Sequence, residues 1–191
     1  MYIAIEGIDT AGKSTQIAAL KSAYPHAIIT KEPGGTAIGQ EIRSLVLSAK
    51  TKSKKAEFLL FLADRAEHIK EVIEPNLDKM IISDRSVVSG VAYALTQGEI
   101  SETAIVHLNR FATDGIYPQK VFLLKLTKEE LEYRLSQKEL DGIELRGSEY
   151  LLAIQDAITK AAKLLNIELV EIDATKSIEN ITEEILNNIN S

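Results

Sequence analysis

The chain of 191 residues contains no cysteine and no tryptophan, and aromatic residues make up only 5% of it. Without cysteine there can be no disulfide, no thiolate metal site and no cysteine nucleophile. Lys and Arg total 22 against 28 for Asp and Glu, which leaves a net charge of −6. Because a general nucleic-acid binder presents a broad basic face, this balance argues against a nucleic-acid partner, although it permits a local basic cleft.

Long apolar runs and targeting signals are also missing. No apolar stretch approaches the roughly 18–20 residues that cross a bilayer. Residues 1–6 lack the basic lead and the long apolar core of a signal peptide. We therefore expect a cytoplasmic protein with no membrane partner. Hydrophobic residues reach 45% and charged residues 26%, which is near the globular average and favours a single domain over residues 1–191.

Short apolar runs alternate with longer segments of helical period, which is the pattern of an α/β fold with a mainly parallel sheet covered by helices. Strands that are buried on both faces are short and rich in Ile, Val and Leu. The strands predicted on this basis are Tyr2–Glu6, Ala27–Thr30, Lys79–Ser83, Lys120–Leu126 and Glu168–Ile172. The predicted helices are Lys13–Ala23, Thr36–Ala49, Ala56–Ile73, Ser86–Thr96, Ser101–Thr113, Lys128–Lys138, Ser148–Leu165 and Ile178–Asn188.

Two polar stretches stand apart from these elements. Residues 50–55 form a basic run, which we interpret as a solvated loop. Residues 137–147 contain Gly142 and Gly147 and lie between two predicted helices. This second stretch is either an ordinary connection or a mobile flap.

The first predicted strand runs directly into a phosphate-binding motif. Residues 7–14 read Gly-Ile-Asp-Thr-Ala-Gly-Lys-Ser, with two glycines followed by Lys-Ser at the spacing of a P-loop. The glycines let backbone N–H groups converge on phosphate oxygens, and the following helix adds its N-terminal dipole. Lys13 supplies a cation for the outer phosphates, and the Ser14 hydroxyl can ligate Mg²⁺. The residues assigned to ATP here are Gly7, Ile8, Asp9, Thr10, Ala11, Gly12, Lys13, Ser14 and Thr15.

A P-loop alone does not separate a kinase from a GTPase or a mechanical ATPase. The chain has no Asn-Lys-x-Asp tetrad to read guanine, and an ATPase motor of this size would need further domains or a partner. A small phosphotransferase remains, which requires an acceptor site. The third predicted strand ends in Asp84-Arg85, and ligands bind at the carboxyl ends of parallel strands. Asp84 suits Mg²⁺ or its water shell, and Arg85 suits bidentate capture of a phosphate.

Four segments, together with the P-loop, closely resemble bacterial thymidylate kinases. Residues 82–94, Ile-Ser-Asp-Arg-Ser-Val-Val-Ser-Gly-Val-Ala-Tyr-Ala, resemble the family's signature segment. Residues 31–36 resemble its Arg-Glu-Pro-Gly-Gly-Thr loop, residues 60–66 its Phe-x-x-Asp-Arg segment, and residues 172–175 the loop that edges the adenine. The matches span the chain in family order. The resemblance implies a P-loop NTPase fold of the nucleoside monophosphate kinase type, with a central parallel five-stranded sheet flanked by helices.

The resemblance also implies roles for individual residues. Phe61 would stack on the thymine and Arg65 would hydrogen-bond its edge. Arg85 would hold the acceptor phosphate, Asp9 the sugar 3′-hydroxyl, and Tyr93 would fill the space of a 2′-hydroxyl. The remaining positions implied by the family are Glu32, Pro33 and Ser89 in the dTMP site and Ala174 beside the adenine. Pro33 is either an ordinary turn proline or, as the family suggests, a proline after a cis bond.

The sequence departs from the family in its catalytic arginine. The family places this arginine in the P-loop or in the flap over ATP, but here the variable P-loop position is Thr10 and the flap position is Gly142. Arg146 lies four residues on, about 6 Å along the axis of a helix, and is our first candidate, with Arg134 as the alternative. Lys31 and Ala94 replace the usual Arg and Gln, so the contacts to the acceptor can differ from those of the family.

We therefore expect ATP-dependent phosphorylation of dTMP to dTDP, in dTTP biosynthesis, with Mg²⁺ as the cofactor. No general base is assigned, because an acceptor phosphate with a second pKa of about 6 is already largely ionised at neutral pH. The family implies a homodimer. The alternatives are a nucleotide or deoxynucleoside kinase with a different acceptor, and a regulatory P-loop protein. The three histidines, His26, His68 and His107, are interpreted as ordinary surface or partly buried residues.

Overall fold

A computed structural model describes residues 1–48, 51–137 and 146–190 of the chain. Its centre is one sheet of five strands in the order β2-β3-β1-β4-β5, and every neighbouring pair is parallel. Each strand lies within two residues of a predicted one, so the predicted parallel sheet is confirmed. The strands are β1 Tyr2–Glu6, β2 Ile28–Lys31, β3 Ile81–Asp84, β4 Lys120–Lys125 and β5 Glu168–Asp173.

Most helices begin at a Ser or Thr whose side chain accepts a hydrogen bond from a free backbone N–H of the first turn, as N-caps do. Such caps precede six helices: Thr36, Ser53, Ser86, Ser101, Thr127 and Ser177. The helices of the described residues are α1 Lys13–Ala23, α2 Ala37–Leu47, α3 Lys54–His68, α4 Val87–Gln97, α5 Glu102–Thr113, α6 Lys128–Ser136, α7 Ser148–Leu165 and α8 Ile178–Ile189.

The helix predicted over residues 56–73 is present, but it differs from the prediction at both ends. The cap Ser53 starts α3 at Lys54, so part of the basic run that we interpreted as a loop is helical. At the other end, α-helical bonding stops at His68 and passes into a π-helical turn at Ile69–Ile73 and a 3₁₀ turn at Glu74–Asn76. Pro75 cannot donate a backbone hydrogen bond, which agrees with the end of the helix there.

The sheet buries its middle strand completely and brings three loops together at the carboxyl ends of its strands. All five residues of β1 are buried. Because β1, β2 and β3 are parallel neighbours, the segments that follow them leave the sheet side by side; Asp84 is in register with both Ile5 and Lys31. The P-loop, the Glu-Pro-Gly-Gly loop and the Asp84-Arg85 segment therefore meet, at the edge where ligands bind in such sheets. In the described ranges, no helix is long and apolar enough to cross a membrane.

Candidate active site

The phosphate loop is a tight turn between β1 and α1 with three residues at positive φ. Gly7 has φ 151°, Thr10 has φ 69° and Gly12 has φ 95°. A Cβ on Gly7 would lie 3.0 Å from the carbonyl oxygen of Leu124 on β4, so both the backbone angle and the close approach favour glycine there. The glycine at position 7 of the P-loop pattern is thus required by the shape of this turn.

Lys13, the first residue of α1, folds its side chain back over the loop. Its Nζ donates to the carbonyl oxygens of Gly7 and Ile8, each at 3.0 Å. Burial, and next the charge of Arg85, lowers the pKa of Lys13 to about 8. Asp9, Asp84 and Glu6 raise this pKa in part, and a phosphate placed in the loop would raise it further.

A cavity of about 410 Å³ opens at this edge of the sheet. It combines the P-loop with the segments after β2 and β3, and it gathers four cationic side chains against three carboxylates, on a chain whose net charge is −6. The sequence predicted a local basic cleft as possible, and the structure places one here. The lining residues are Asp9, Thr10, Gly12, Lys13, Ser14, Thr15, Lys31, Glu32, Arg43, Asp84 and Arg85.

Arg85 is the centre of the acceptor side of this cavity. It adopts a left-handed φ of 66° directly after β3. Its Nη2 lies 2.6 Å from Asp9 Oδ1, and its Nη1 donates to Gly7 O at 3.0 Å and to Ser89 Oγ at 3.3 Å. Burial raises the pKa of the half-buried Tyr93, while the nearby charge of Arg85 opposes that shift. Four residues predicted for the acceptor, Asp9, Arg85, Ser89 and Tyr93, are therefore brought together.

A buried carboxylate that sequence reasoning missed supports this cluster from below. Glu6 is fully buried at the end of β1 and accepts hydrogen bonds from the Ser86 hydroxyl, the Ser89 hydroxyl and the Ser89 backbone N–H. Burial raises the pKa of Glu6, and the charge of Arg85 opposes the rise. The available signal was a single acid ending an otherwise apolar strand.

The side chains predicted for the base lie on α3. Phe61 is half-buried, so it is not an ordinary core residue. Arg65 is 2% exposed, forms an ion pair with Glu32 and donates from Nη1 to Asn109 Oδ1 at 2.6 Å. Burial alone would raise the pKa of Glu32, but Arg65 and His68 together lower it below its ordinary value. Arg65 is therefore a fixed, charged donor rather than a surface arginine.

The interpretation of His68 as a surface or partly buried residue is wrong. Its side chain is fully buried, with Nε2 at 2.7 Å from Thr30 Oγ1 and Nδ1 at 3.6 Å from Glu32 Oε2. Asp64, one turn earlier on α3, accepts the Gly34 N–H at 2.9 Å, and burial raises the pKa of Asp64 to about 6. The helical spacing of positions 64, 65 and 68 placed these three polar side chains on one face, which was the signal available.

Two further features complete the acceptor side. A Cβ on Gly90 of α4 would lie 3.0 Å from Arg65 Cζ, so only glycine leaves room for the guanidinium. The Glu32–Pro33 peptide bond is cis, as the family suggests, so Pro33 is not an ordinary turn proline. Arg43 Nη1 donates to Pro33 O at 3.2 Å and thereby ties α2 to this turn.

The comparisons with known proteins agree with this geometry. The family model described as thymidylate kinase matches residues 5–185. The chain belongs to the thymidylate kinase family. The thymidylate kinase of Sulfurimonas denitrificans is 81% identical over 190 residues and 100% of both chains, and that of Aliarcobacter butzleri is 55% identical over 97% of this chain and 96% of the relative. A crystal structure of thymidylate kinase from Ehrlichia chaffeensis is 27% identical, with a TM-score of 0.76 over 100% of this chain and 98% of that one.

Both the predicted family and the P-loop nucleoside monophosphate kinase fold are thereby confirmed. ATP-dependent phosphoryl transfer follows from membership of a kinase family. The roles of the individual site residues stay predictions, which their placement supports.

The sequence predicts that Ser14 and Asp84 hold Mg²⁺ on the donor side of the cavity. Among the described residues, no group of three or more His, Cys, Asp or Glu side chains could hold a metal by itself. Mg²⁺ in such sites needs only one or two protein oxygens, because phosphates and waters supply the rest. Ser14 is exposed on the cavity, and Asp84 Oδ1 is buried there without a hydrogen bond. These two oxygens fit the predicted metal assignment.

The two candidate catalytic arginines lie in different surroundings. Gly142 and most of the predicted flap, residues 138–145, lie outside the described residues. Arg146 is exposed, donates from Nη1 to the Tyr150 hydroxyl at 2.9 Å and lies 4.9 Å from the centre of that ring, away from the cavity lining. Arg134 Nη1 donates to Thr10 O at 3.0 Å. The structure thus brings Arg134, and not Arg146, to the phosphate loop.

Proposed function

We propose that this site transfers the γ-phosphoryl group of ATP to dTMP and produces dTDP for dTTP biosynthesis. Membership of the thymidylate kinase family is the main support for this reaction. The observation that supports the site assignment is the position of Asp9 between the two half-sites, 3.8 Å from Lys13 Nζ and 2.6 Å from Arg85 Nη2. One cavity thus holds a cation for the donor phosphates and another for the acceptor phosphate, with one carboxylate between them.

On the donor side, residues 7–15 hold the phosphates and Ala174 edges the adenine. Lys13 neutralises the outer phosphates, since its amine already lies over the loop. Ser14 and Asp84 are the residues that would hold Mg²⁺ or its water shell. When bound, the ion would neutralise charge on the donor phosphates.

On the acceptor side, Arg65 and Phe61 hold the thymine, Arg85 the phosphate and Asp9 the 3′-hydroxyl. Tyr93 fills the 2′ position, while Glu32, Pro33 and Ser89 complete the wall. An oxygen of the acceptor phosphate forms the new bond to the γ-phosphorus, and the bond to the β–γ bridging oxygen breaks, so that ADP leaves with the electron pair. The acceptor oxygen is already ionised at neutral pH, so no general base is needed. Placement and charge neutralisation carry the reaction.

The proposal includes Arg146 as the arginine that reaches the transferred group. Its guanidinium is exposed, and the one hydrogen bond that it makes within the described residues goes to Tyr150, one turn away, so little is lost there when it moves. Arg146→Ala should lower kcat by about 10²-fold or more and change either KM only a few-fold. A kcat within threefold of wild type would remove Arg146 from this role.

A homodimer in the cytoplasm is also part of the proposal. Support for a dimer comes from large apolar side chains exposed on three packed helices: α3 contacts both α2 and α5. Leu45, Leu59 and Phe111 are 52%, 56% and 82% exposed on these helices. Sedimentation of the wild-type protein and of Phe111→Glu should give a dimer and a weakened dimer; a monomeric wild type would contradict this part.

The acceptor assignment is tested by a transfer assay with ATP and Mg²⁺ and five acceptors: dTMP, dUMP, UMP, dCMP and dGMP. We expect dTMP to give the highest kcat/KM, and ATP turnover to depend on the acceptor. A different preferred acceptor would favour the alternative kinase. Equal ATP turnover with and without any acceptor would contradict a phosphotransferase.

A further inference from the structure

Arg134 joins two loops that are far apart in the sequence and both belong to the donor side. From α6, its Nη1 donates to Thr10 O of the phosphate loop at 3.0 Å, and its Nη2 donates to Ala174 O, after β5, at 2.7 Å. Its Nε donates to Glu130 Oε1, one helical turn earlier, at 2.6 Å. All three nitrogens of the guanidinium are therefore engaged at once.

We propose that Arg134 is a positioning residue that aligns the phosphate loop with the adenine-edge loop, so that one ATP molecule meets both in register. The inference rests on the proposed function only in that it takes these loops as the ATP site. Arg134 itself need not touch the transferred phosphoryl group. It thereby differs from Arg146, whose guanidinium is exposed and donates to the Tyr150 hydroxyl.

The phosphate-loop end of this contact lies at a strained position. Thr10 has φ 69°, a left-handed angle that is a genuine outlier for a β-branched residue. Its hydroxyl is buried and has no hydrogen-bond partner among the described residues, so no hydrogen bond from this hydroxyl holds the turn there. The hydrogen bond from Arg134 to its carbonyl is the contact that fixes this peptide from outside the loop.

The adenine-edge end is anchored to the sheet and leaves its carbonyl for Arg134. The Ala174 N–H donates to Lys125 O of β4 at 2.9 Å, and the Ala174 side chain is only 1% exposed. Asp173 Oδ1 accepts from both the N–H and the hydroxyl of Thr175, which closes the turn. Because this loop is anchored to β4 and β5, the hydrogen bonds of Arg134 hold the phosphate loop in place relative to it. A planar guanidinium with separate N–H directions is suited to such bridging, whereas a lysine is a single point donor.

The test uses Arg134→Met, which keeps length but loses every donor, and Arg134→Lys, which keeps the charge and can reach one carbonyl. Arg110→Met, at an exposed position of α5 outside the cavity, is the matched control. Binding of ATP and of inorganic tripolyphosphate is measured by calorimetry, and kcat and both KM values by steady-state kinetics. Tripolyphosphate occupies only the phosphate loop, so it reports that loop without the adenine-edge loop.

We expect Arg134→Met to weaken ATP binding and raise KM for ATP by about 10-fold or more, since two hydrogen bonds from a charged group are lost. Tripolyphosphate binding should weaken less, kcat and KM for dTMP should stay within about threefold, and Arg134→Lys should be intermediate.

A fall in kcat with KM for ATP unchanged would make Arg134 catalytic and overturn the inference. Equal losses for ATP and tripolyphosphate, or no loss at all, would also overturn it. If Arg134→Met does not fold, Arg134→Lys decides by the same criteria. Because ATP binding needs no acceptor, a failure of dTMP to act as substrate would overturn the proposed function and leave this result standing.

Discussion

The donor and acceptor sides of the cavity are built in different ways. The donor side is mostly main chain: residues 7–15 are contiguous, three of them have positive φ, and Lys13 itself hydrogen-bonds to loop carbonyls. The acceptor side is mostly side chain. Glu32, Arg65 and Asn109 come from three separate parts of the chain and contact one another with little exposure to solvent. A backbone-built site depends on a few glycines and one cation, whereas a side-chain-built site depends on every partner being present.

This difference predicts which substitutions affect chemistry and which affect binding. A buried charge that loses its partner keeps its full desolvation cost, so the acceptor side should respond to removal of any one member. The donor side should respond most to the loss of Lys13, because the backbone groups around it remain when its side chain is removed.

The largest expected effect is at Lys13. Lys13→Ala should lower kcat/KM by at least about 10³-fold, because the loop loses the cation that faces the donor phosphates. The folded state should survive, since burial disfavours the charge of this amine and lowers its pKa to about 8. Transfer assays and thermal unfolding check both statements. Normal turnover by a folded Lys13→Ala protein would remove the P-loop from the mechanism.

The next largest effect concerns the sugar and sharpens the role of Tyr93. We expect dUMP to be used about tenfold less well than dTMP, because a missing methyl group is worth only about 1 kcal/mol or somewhat more, and UMP at least about 10²-fold less well than dUMP. Tyr93→Phe should keep this ratio, since the ring remains, while Tyr93→Ala should reduce it. Equal kcat/KM for UMP and dUMP in the wild type would show that the ring does not exclude a 2′-hydroxyl.

A smaller effect is expected behind Arg65. Asn109→Leu removes the acceptor of the 2.6 Å hydrogen bond from Arg65, and should raise KM for dTMP about tenfold, the value of one hydrogen bond to a charged group. Asn109→Asp keeps an acceptor oxygen and should stay within a few-fold of wild type. KM for ATP should not change in either variant. If the two variants behave alike, Asn109 does not act through Arg65.

The smallest effect is a pH dependence on the donor side. With a pKa of about 8 for Lys13, kcat/KM for ATP, which reports the free enzyme, should fall about fourfold between pH 7 and pH 8.5 as the amine deprotonates. The value of kcat should stay level over this range, because bound phosphates raise the pKa of the lysine. Lys13→Arg, charged throughout, should lose this dependence. A wild-type kcat/KM that is level to pH 9 would contradict the assigned pKa.

The same contrast explains what could be predicted from the sequence. The P-loop is a local pattern, so its residues, the strand before it and helix α1 were all predicted with the observed bounds. Arg85 was predicted from its place at the end of a parallel strand and Arg65 through family resemblance, but the roles of Glu6, His68 and Asn109 were not predicted. Their roles depend on partners such as Ser89, Thr30 and Arg65 that are distant in sequence, and no local pattern records which side chains a fold brings together. The contact between Arg134 and Thr10 spans a sequence separation of 124 and was invisible for the same reason.

The separate construction of the two sides is tested most directly by the double variant Arg134→Met/Asn109→Leu. Arg134 and Asn109 have no hydrogen-bond partner in common among the described residues, so their effects should be independent. Both KM values should be measured in the wild type, the two single variants and the double variant. The account predicts that KM for ATP follows Arg134 alone and KM for dTMP follows Asn109 alone, each within about twofold of the single-variant value. A rise in KM for ATP caused by Asn109→Leu, or in KM for dTMP caused by Arg134→Met, would contradict it.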